Sequence, residues 1–180
     1  MHTARGREQA SAERCRRLVD SAVLDACFVP RYERYAKRGG AWVLETDVLF
    51  REYFIVATSD VRALDQALSR MSDNLGLAPG GRGGGWASLT DAEREWLEGT
   101  LDDEGVIRAS EGRIEDGALT VERGPLRGRE QQIRKIDRHK RLAYVSVGEG
   151  AGVCGGEGVG GGNGGARLTL RAVLNVPEKS

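Results

Sequence analysis

The chain has 180 residues, and its 27 lysines and arginines balance its 27 aspartates and glutamates. A composition of 39% hydrophobic and 30% charged residues favours two small domains over one large core. No run is apolar enough to span a membrane and no apolar segment follows the start, so we expect a cytoplasmic protein. The cysteines Cys15, Cys27 and Cys154 fit neither a zinc pattern nor a disulfide framework, and we expect Cys15 and Cys27 to be buried thiols.

The first part of the chain predicts a small α/β unit. An apolar stripe predicts a helix over residues 7–22 whose arginines face solvent, and the apolar run 25–30 predicts a short buried strand. Residues 31–37 and 41–48 flank an Arg-Gly-Gly turn, which is the pattern of a β-hairpin.

A central strand and a capped helix are predicted next. Residues 53–58 are apolar and rich in β-branched side chains, which favours a strand. Asp60 is placed to cap the following helix. The expected core positions of that helix are Val61, Leu64, Leu68 and Met71. The glycine-rich segment 76–85 lacks the Gly-Lys-Ser/Thr of a phosphate-binding P-loop, so we expect a plain loop there.

A second capped helix precedes a predicted linker. Thr90 and Glu93 have the spacing of a capping box, which predicts a helix to about Leu101. Its many carboxylates lack an interleaved histidine, so a solvated face is favoured over acid/base or metal chemistry. The apolar pieces at Val106-Ile107 and Ile114 predict strand fragments within the linker.

Positive charge is concentrated in residues 118–147, which predict three strands separated by turns. Glycines and a proline mark the bends, and residues 137–140 form a charged turn. We expect Leu142, Tyr144 and Val145 to pack inside the third strand. Such a patch in a chain without net charge is an electrostatic footprint for phosphate. Its basic members are Arg123, Arg127, Arg129, Arg134, Lys135, Arg138, Lys140 and Arg141.

The end of the chain begins with a glycine-rich segment over residues 148–165. This composition cannot bury apolar area, which predicts a disordered insertion. Two closing strands are predicted at residues 166–170 and 172–176.

Two motifs carry a family resemblance. GPLRG at residues 124–128, followed by IRKIDRHKR at residues 133–141, resembles a KOW motif, the RNA- and protein-binding hairpin of NusG-type transcription elongation factors and some ribosomal proteins. The second string is most similar to the specialised LoaP-like antiterminator paralogues. Gln131 stands where KOW motifs usually have a further glycine. In the first half, Phe50-Arg51-Glu52-Tyr53 resembles the Phe-Pro-Gly-Tyr of the NusG N-terminal domain, with Arg-Glu in place of Pro-Gly.

The resemblance implies an α+β fold with two domains. Residues 1–104 would form a NusG N-terminal-like α/β sandwich, residues 105–117 a linker, and residues 118–180 a small SH3-like β-barrel with the KOW motif. NusG-type domains usually open with a strand that precedes a polar segment similar to residues 2–8. The first strand is therefore expected to be truncated, through a misplaced start codon or a shortened gene copy.

The resemblance also implies a function without catalysis or cofactor. The N-terminal domain would bind the clamp helices of RNA polymerase, and the KOW domain would bind nascent or leader RNA or a protein partner, in processive antitermination. The implied polymerase contacts are Phe50 and Tyr53, with Trp42 as a further candidate; a core role for Phe50 and Tyr53 is the alternative. The expected RNA or partner contacts are Arg127, Arg129, Arg134, Lys135, Arg138, His139, Lys140 and Arg141.

Other readings of the chain stay open at this point. The basic run fits a merely solvated surface hairpin. A ribosomal-type KOW protein would bind RNA, although such proteins are usually shorter and strongly basic. The departures from the family pattern fit a degenerate, non-functional paralogue. An enzyme is disfavoured, because no nucleophile–base spacing, metal-ligand cluster or nucleotide fingerprint is present.

Overall fold

The computed structural model describes residues 1–71, 75–80, 85–116, 118–137, 139–147 and 168–175, and in the last range only the Leu174 side chain. The predicted insertion and the predicted contact Arg138 lie outside the described residues.

The described residues form a mixed α/β fold with several small sheets and three α-helices. The helices are α1 (Glu8–Leu18), α2 (Val61–Ser69) and α3 (Asp91–Glu98). None of these helices has the length and apolar character needed to cross a membrane. The strands are β1 (Ala26–Phe28), β2 (Arg31–Arg38), β3 (Ala41–Val48), β4 (Ile55–Ala57), β5 (Val106–Ile107), β6 (Ser110–Glu115), β7 (Ala118–Arg123), β8 (Ile133–Asp137), β9 (Leu142–Val147) and β10 (Leu168–Asn175).

These strands form three sheets within the described residues. β1 pairs with β4, β2 lies between β3 and β5, and the largest sheet has the order β7-β6-β10-β9-β8. In the part of the chain that is described, β7 and β8 are the edges of this largest sheet and do not pair with each other. Hydrogen bonds therefore leave it open, whereas the family resemblance led us to expect a barrel.

Local turn and capping signals are confirmed. Gly39 and Gly40 have φ angles of 56° and 89°, the left-handed values that a tight two-residue hairpin turn needs, so β2 and β3 pair along their whole length. The Asp60 carboxylate accepts hydrogen bonds from the backbone N–H groups of Arg62 and Ala63 and thereby caps α2.

Helix α3 has the predicted capping box and a second role in the core. Thr90 Oγ1 accepts from the Glu93 N–H at 3.3 Å, and the Glu93 carboxylate accepts from the Thr90 N–H at 2.8 Å. Trp96 and Leu97 on its inner face are buried. The Trp96 indole N–H donates to the side-chain oxygen of Gln132 at 2.9 Å, which ties α3 to the segment before β8.

Helix α1 ends four residues earlier than predicted. Val19 is extended, and the Asp20 carboxylate accepts a hydrogen bond from the Ala22 N–H at 2.9 Å. This side-chain turn competes with a further helical turn. Cys15 and Cys27 are buried as predicted.

The alternation along β9 was predicted only in part. Val145 is buried as expected, but Ala143 and Val147 complete the inward face. Leu142 is half-buried beside the core, and Tyr144 points to the other face, because side chains of a strand alternate with a period of two. The two predicted closing strands are one strand, β10, which pairs antiparallel with β9 and parallel with β6.

The predicted linker contains two paired strands. β5 pairs parallel with β2, and β6 pairs with both β7 and β10. Between them, the Arg108 guanidinium contacts the carboxylates of Glu33, Asp102 and Glu104. Glu33 also accepts a hydrogen bond from the Ala109 N–H at 2.7 Å, so the β2–β3 hairpin is held directly to this segment.

Among the described side chains, two hydrophobic cores are present. The smaller lies between α1, α2, β1 and β4 and includes Phe54, Leu64 and Leu68. The larger contains Tyr32 and Phe50 from the first half together with Trp96 from α3. Its remaining buried members come from α3, the predicted linker, the five-stranded sheet and the loop after β7: Leu97, Ile107, Val121, Leu126, Ala143, Val145, Val147 and Leu174.

The start of the chain packs against the segment before β4. The Met1 amino group donates to the Phe54 carbonyl at 3.0 Å, and the Thr3 N–H donates to the Glu52 carbonyl at 2.8 Å. The Glu8 carboxylate accepts from the Glu52 N–H at 2.8 Å. Burial alone would raise the pKa of Glu8, but backbone hydrogen bonds with Glu52, Gly6 and Glu8 itself, together with the charge of Arg5, outweigh it and hold the pKa below its ordinary value of 4.5.

We expect Glu8→Gln to lower the free energy of unfolding at pH 7 by about 1 kcal/mol, because a charge-assisted hydrogen bond becomes neutral. A carboxyl with a lowered pKa in the folded protein contributes its stability fully above the unfolded value near 4.5, and loses it as the pH falls through the folded value. Urea unfolding at pH 7, 5.5 and 3.5 should therefore show a deficit in the free energy of unfolding that is smaller at pH 3.5 than at pH 7. Glu13→Gln, an exposed change on the same helix, is the control. An equal deficit at all three pH values would contradict this account.

Candidate functional site

The turn between β8 and β9 presents basic side chains to solvent. The Asp137 carboxylate accepts from the Lys140 N–H at 3.0 Å and lies 3.7 Å from Lys140 Nζ, which confirms the predicted charged turn. His139 and Lys140 are exposed. Arg141 closes the turn with φ at 52°, a left-handed conformation that is unusual for arginine.

Two further arginines of this surface are exposed and have no ion pair among the described residues. They are Arg127, in the loop after β7, and Arg134, on the edge strand β8. A register shift between Ile133 and Lys135 leaves both Arg134 and Lys135 exposed. The Lys135 ammonium lies 5.8 Å from the centre of the Tyr144 ring. Charge on an edge strand also discourages strand pairing between molecules, which is a structural explanation for the same residues.

Glu130 does not neutralise these arginines through a described ion pair. Its carboxylate accepts from the Val121 N–H at 3.1 Å and holds β7 to the turn before β8. Backbone hydrogen bonds keep the pKa of Glu130 below its usual value. Glu130 is thus used for structure, whereas Asp137, the other acidic residue within the basic run, pairs with Lys140.

Arg129 has a structural contact that separates it from its neighbours. A Cβ atom at Gly99 would lie 2.6 Å from Arg129 Nη2, so the guanidinium packs closely against the C-terminal end of α3. A cation at this end interacts favourably with the helix dipole. Arg129 therefore has a role in packing against α3.

The implied polymerase contacts differ in exposure. Phe50 is 3% exposed and belongs to the larger core, which matches the core alternative stated above. Tyr53 is half-buried, with its ring 5.3 Å from that of His2 in an edge-on arrangement. Trp42 is 39% exposed and is followed on the edge strand β3 by Val43 and Leu44, which are 36% and 47% exposed.

Sequence reasoning missed Val43 and Leu44 as surface residues. The available signal was the run Trp-Val-Leu within a predicted hairpin strand, because three consecutive apolar residues cannot all face one core across a strand. Together, Trp42, Val43 and Leu44 form the apolar edge of the hairpin.

The turn between the two aromatic residues is formed despite its unusual sequence. The Tyr53 N–H donates to the Phe50 carbonyl at 3.3 Å, and Glu52 has φ at 69° where the family pattern has glycine. The hydrogen bond from the Glu52 N–H to Glu8 holds this strained residue in place.

Arg141 connects the two groups of predicted contacts. Its guanidinium carbon lies 5.0 Å from the ring centre of Tyr35 and 5.0 Å from that of Trp42. The turn after β8 is thus in contact with the β2–β3 hairpin. Tyr35 was not predicted as a site residue, since its neighbour Arg141 is distant in sequence.

The described residues contain no group of three or more His, Cys, Asp or Glu side chains placed to hold a metal ion. This surface brings together cations, aromatic rings and an apolar strand edge.

We expect Glu52→Gly to raise the free energy of unfolding by about 0.5–1 kcal/mol, because glycine adopts a positive φ without strain. Arg51→Gly in the same turn is the control and should destabilise, since Arg51 has no positive φ to relieve. Chemical denaturation in 0.5 M salt, which screens the ion pair of Arg51 with Asp47, provides the measurement. A lower free energy of unfolding for Glu52→Gly would contradict the inference that the backbone of Glu52 is strained.

We expect Phe50→Ala to lower the free energy of unfolding by about 3–5 kcal/mol, because it leaves a cavity in the larger core. Trp42→Ala should cost about 1 kcal/mol or less, since much of the ring is already in solvent. Both values come from urea denaturation followed by circular dichroism. A small loss for Phe50→Ala would show that Phe50 is not a core residue in solution.

Comparison with known proteins does not assign the chain to a family. No protein-family model matches the chain, and no curated protein sequence matches it.

Proposed function

We propose that this chain is a NusG-like transcription elongation factor that acts in processive antitermination in the cytoplasm. The N-terminal part would be a NusG N-terminal-type domain that binds RNA polymerase, and the five-stranded sheet a KOW domain that binds RNA or a protein partner. The observation that supports the proposal is that the second KOW-like string forms β8 and the turn into β9, where Arg134, Lys135, His139 and Lys140 are exposed.

The RNA interaction would depend on charge. Arg127, Arg134 and Lys140 are exposed on two loops and one strand, where each side chain can approach a phosphate. Each phosphate neutralised by such a side chain releases a counterion, which favours binding and makes the affinity depend on salt. A folded RNA leader offers an A-form surface that proteins recognise mainly by shape, phosphate and 2′-hydroxyl groups.

The polymerase interaction would use the apolar edge of the hairpin. Aromatic side chains are common anchors of protein interfaces, and Trp42 leads an exposed apolar run. A factor that contacts both walls of the polymerase cleft favours the closed clamp only by its extra affinity for that state. Holding the clamp closed would suppress pausing and allow transcription through a terminator.

The proposed RNA interaction is tested by the double variant Arg127→Ala/Arg134→Ala. We expect weaker binding of a labelled RNA hairpin and a smaller slope of log affinity against log salt, by ~0.7–0.9 per lost phosphate contact. Fluorescence anisotropy at several salt concentrations measures both quantities. The matched control is Arg16→Ala/Arg17→Ala, two exposed arginines on α1 that we expect to be a solvated face. Equal slopes for wild type and the first variant would exclude direct phosphate contacts by Arg127 and Arg134.

The polymerase arm is tested by transcription across a terminator with purified polymerase. The wild-type chain should bind polymerase in a cross-linking assay and increase readthrough, and Trp42→Ala/Leu44→Ala should weaken both effects at least several-fold. Trp86→Ala is the control, because Trp86 is also 39% exposed and lies outside the hairpin. RNA binding without any association with polymerase would instead favour a ribosomal-type RNA-binding protein, and the loss of both interactions a non-functional paralogue.

A further inference from the structure

The guanidinium of Arg141 is held by two rings and has no described acceptor. Tyr35 and Trp42 each lie 5.0 Å from its central carbon, and we call these two residues the aromatic pair. Within the part of the chain that the structure describes, the N–H groups of this guanidinium have neither a hydrogen-bond acceptor nor a carboxylate partner. A guanidinium carries its five donors in its own plane, so contacts with aromatic rings leave the donors available.

The backbone supports this arrangement. Arg141 adopts φ at 52°, and its carbonyl accepts a hydrogen bond from the Leu174 N–H at 3.2 Å. The strained conformation is therefore held from both sides, by β10 through the backbone and by the aromatic pair through the side chain. An arginine fixed in this way loses little conformational freedom when it binds an anion.

We propose that Tyr35 and Trp42 are positioning residues that hold Arg141 as a preoriented fork for an RNA phosphate at the junction of the β2–β3 hairpin and the β8–β9 turn. The proposal rests on the RNA binding proposed above and deepens it, since it assigns two aromatic residues of the first half to a contact made by the second. The ligand chemistry is a phosphodiester oxygen, which matches the planar donor pattern of arginine and accepts two parallel hydrogen bonds.

Sequestration of Arg141 by the aromatic pair would predict the opposite change in RNA affinity from positioning. If the aromatic pair only sequestered Arg141, removal of a ring would free the arginine and RNA would bind more tightly. If the pair positions Arg141, removal of a ring weakens RNA binding but leaves the number of charges unchanged. The sign of the change in affinity therefore decides between the two, and the salt slope separates positioning from direct phosphate contact.

The experiment measures binding of a fluorescein-labelled RNA hairpin by the purified chain without polymerase, at several salt concentrations. We expect Trp42→Ala and Tyr35→Ala each to weaken binding about two- to fivefold with the salt slope unchanged. Trp42→Phe, which keeps a ring, should restore most of the affinity. Arg141→Ala should lower the slope by ~0.7–0.9, and Arg141→Lys should keep the slope but bind more weakly than wild type.

Controls separate this inference from misfolding and from the proposed function. Trp86→Ala should bind like wild type, since Trp86 has the same exposure and no described contact with Arg141. Circular dichroism and thermal denaturation confirm that each variant is folded at the assay temperature. Tighter or unchanged binding by Trp42→Ala, or an unchanged slope for Arg141→Ala, overturns the inference while wild-type RNA binding still stands. No RNA binding by the wild type overturns both the inference and the RNA arm of the proposed function.

Discussion

The larger hydrophobic core is the constraint on which the rest of the structure depends. It buries Tyr32 of β2 and Phe50 in one cluster with side chains of α3 and the five-stranded sheet, so the β2–β3 hairpin cannot move independently of that sheet without exposing apolar surface. Polar contacts support the same packing. Arg108 pairs with the carboxylates of Glu33 and Asp102, and the Trp96 indole N–H donates a hydrogen bond to Gln132. This packing fixes the position of the basic surface relative to the apolar edge of the hairpin.

The positive charge of the basic surface depends on which carboxylates pair with arginines and which are used in other hydrogen bonds. The chain has no net charge, yet Glu130 is committed to a backbone N–H and Glu93 to the capping box of α3. Arg34 and Arg38, by contrast, pair with Glu45 across the β2–β3 hairpin. The basic surface is therefore a consequence of how carboxylates are used elsewhere, and net charge alone does not reveal it.

Features with a local cause were predictable from the sequence, whereas features with a long-range cause were not. Two glycines specified the hairpin turn, and Asp60 and Thr90 specified helix starts, because each acts on residues within a few positions. The burial of Phe50 depends on strands that follow it much later, and β6 looked like part of a linker because its partners are β7 and the distant β10. The basic site could be located by composition, but the contact of Arg141 with Tyr35 and Trp42 had no signal in either segment alone.

The position of β10 has a consequence for how the molecule is made. This last strand lies between β9 and β6, and Leu174 pairs with Ser110. The middle of the largest sheet is therefore filled by residues that leave the ribosome after all its other strands. Contacts between residues so far apart in sequence carry a large loop-closure entropy and slow the search for the native topology. During synthesis, the edges of β6 and β9 would stay unpaired until the residues of β10 emerge, and unpaired strand edges favour aggregation of the nascent chain.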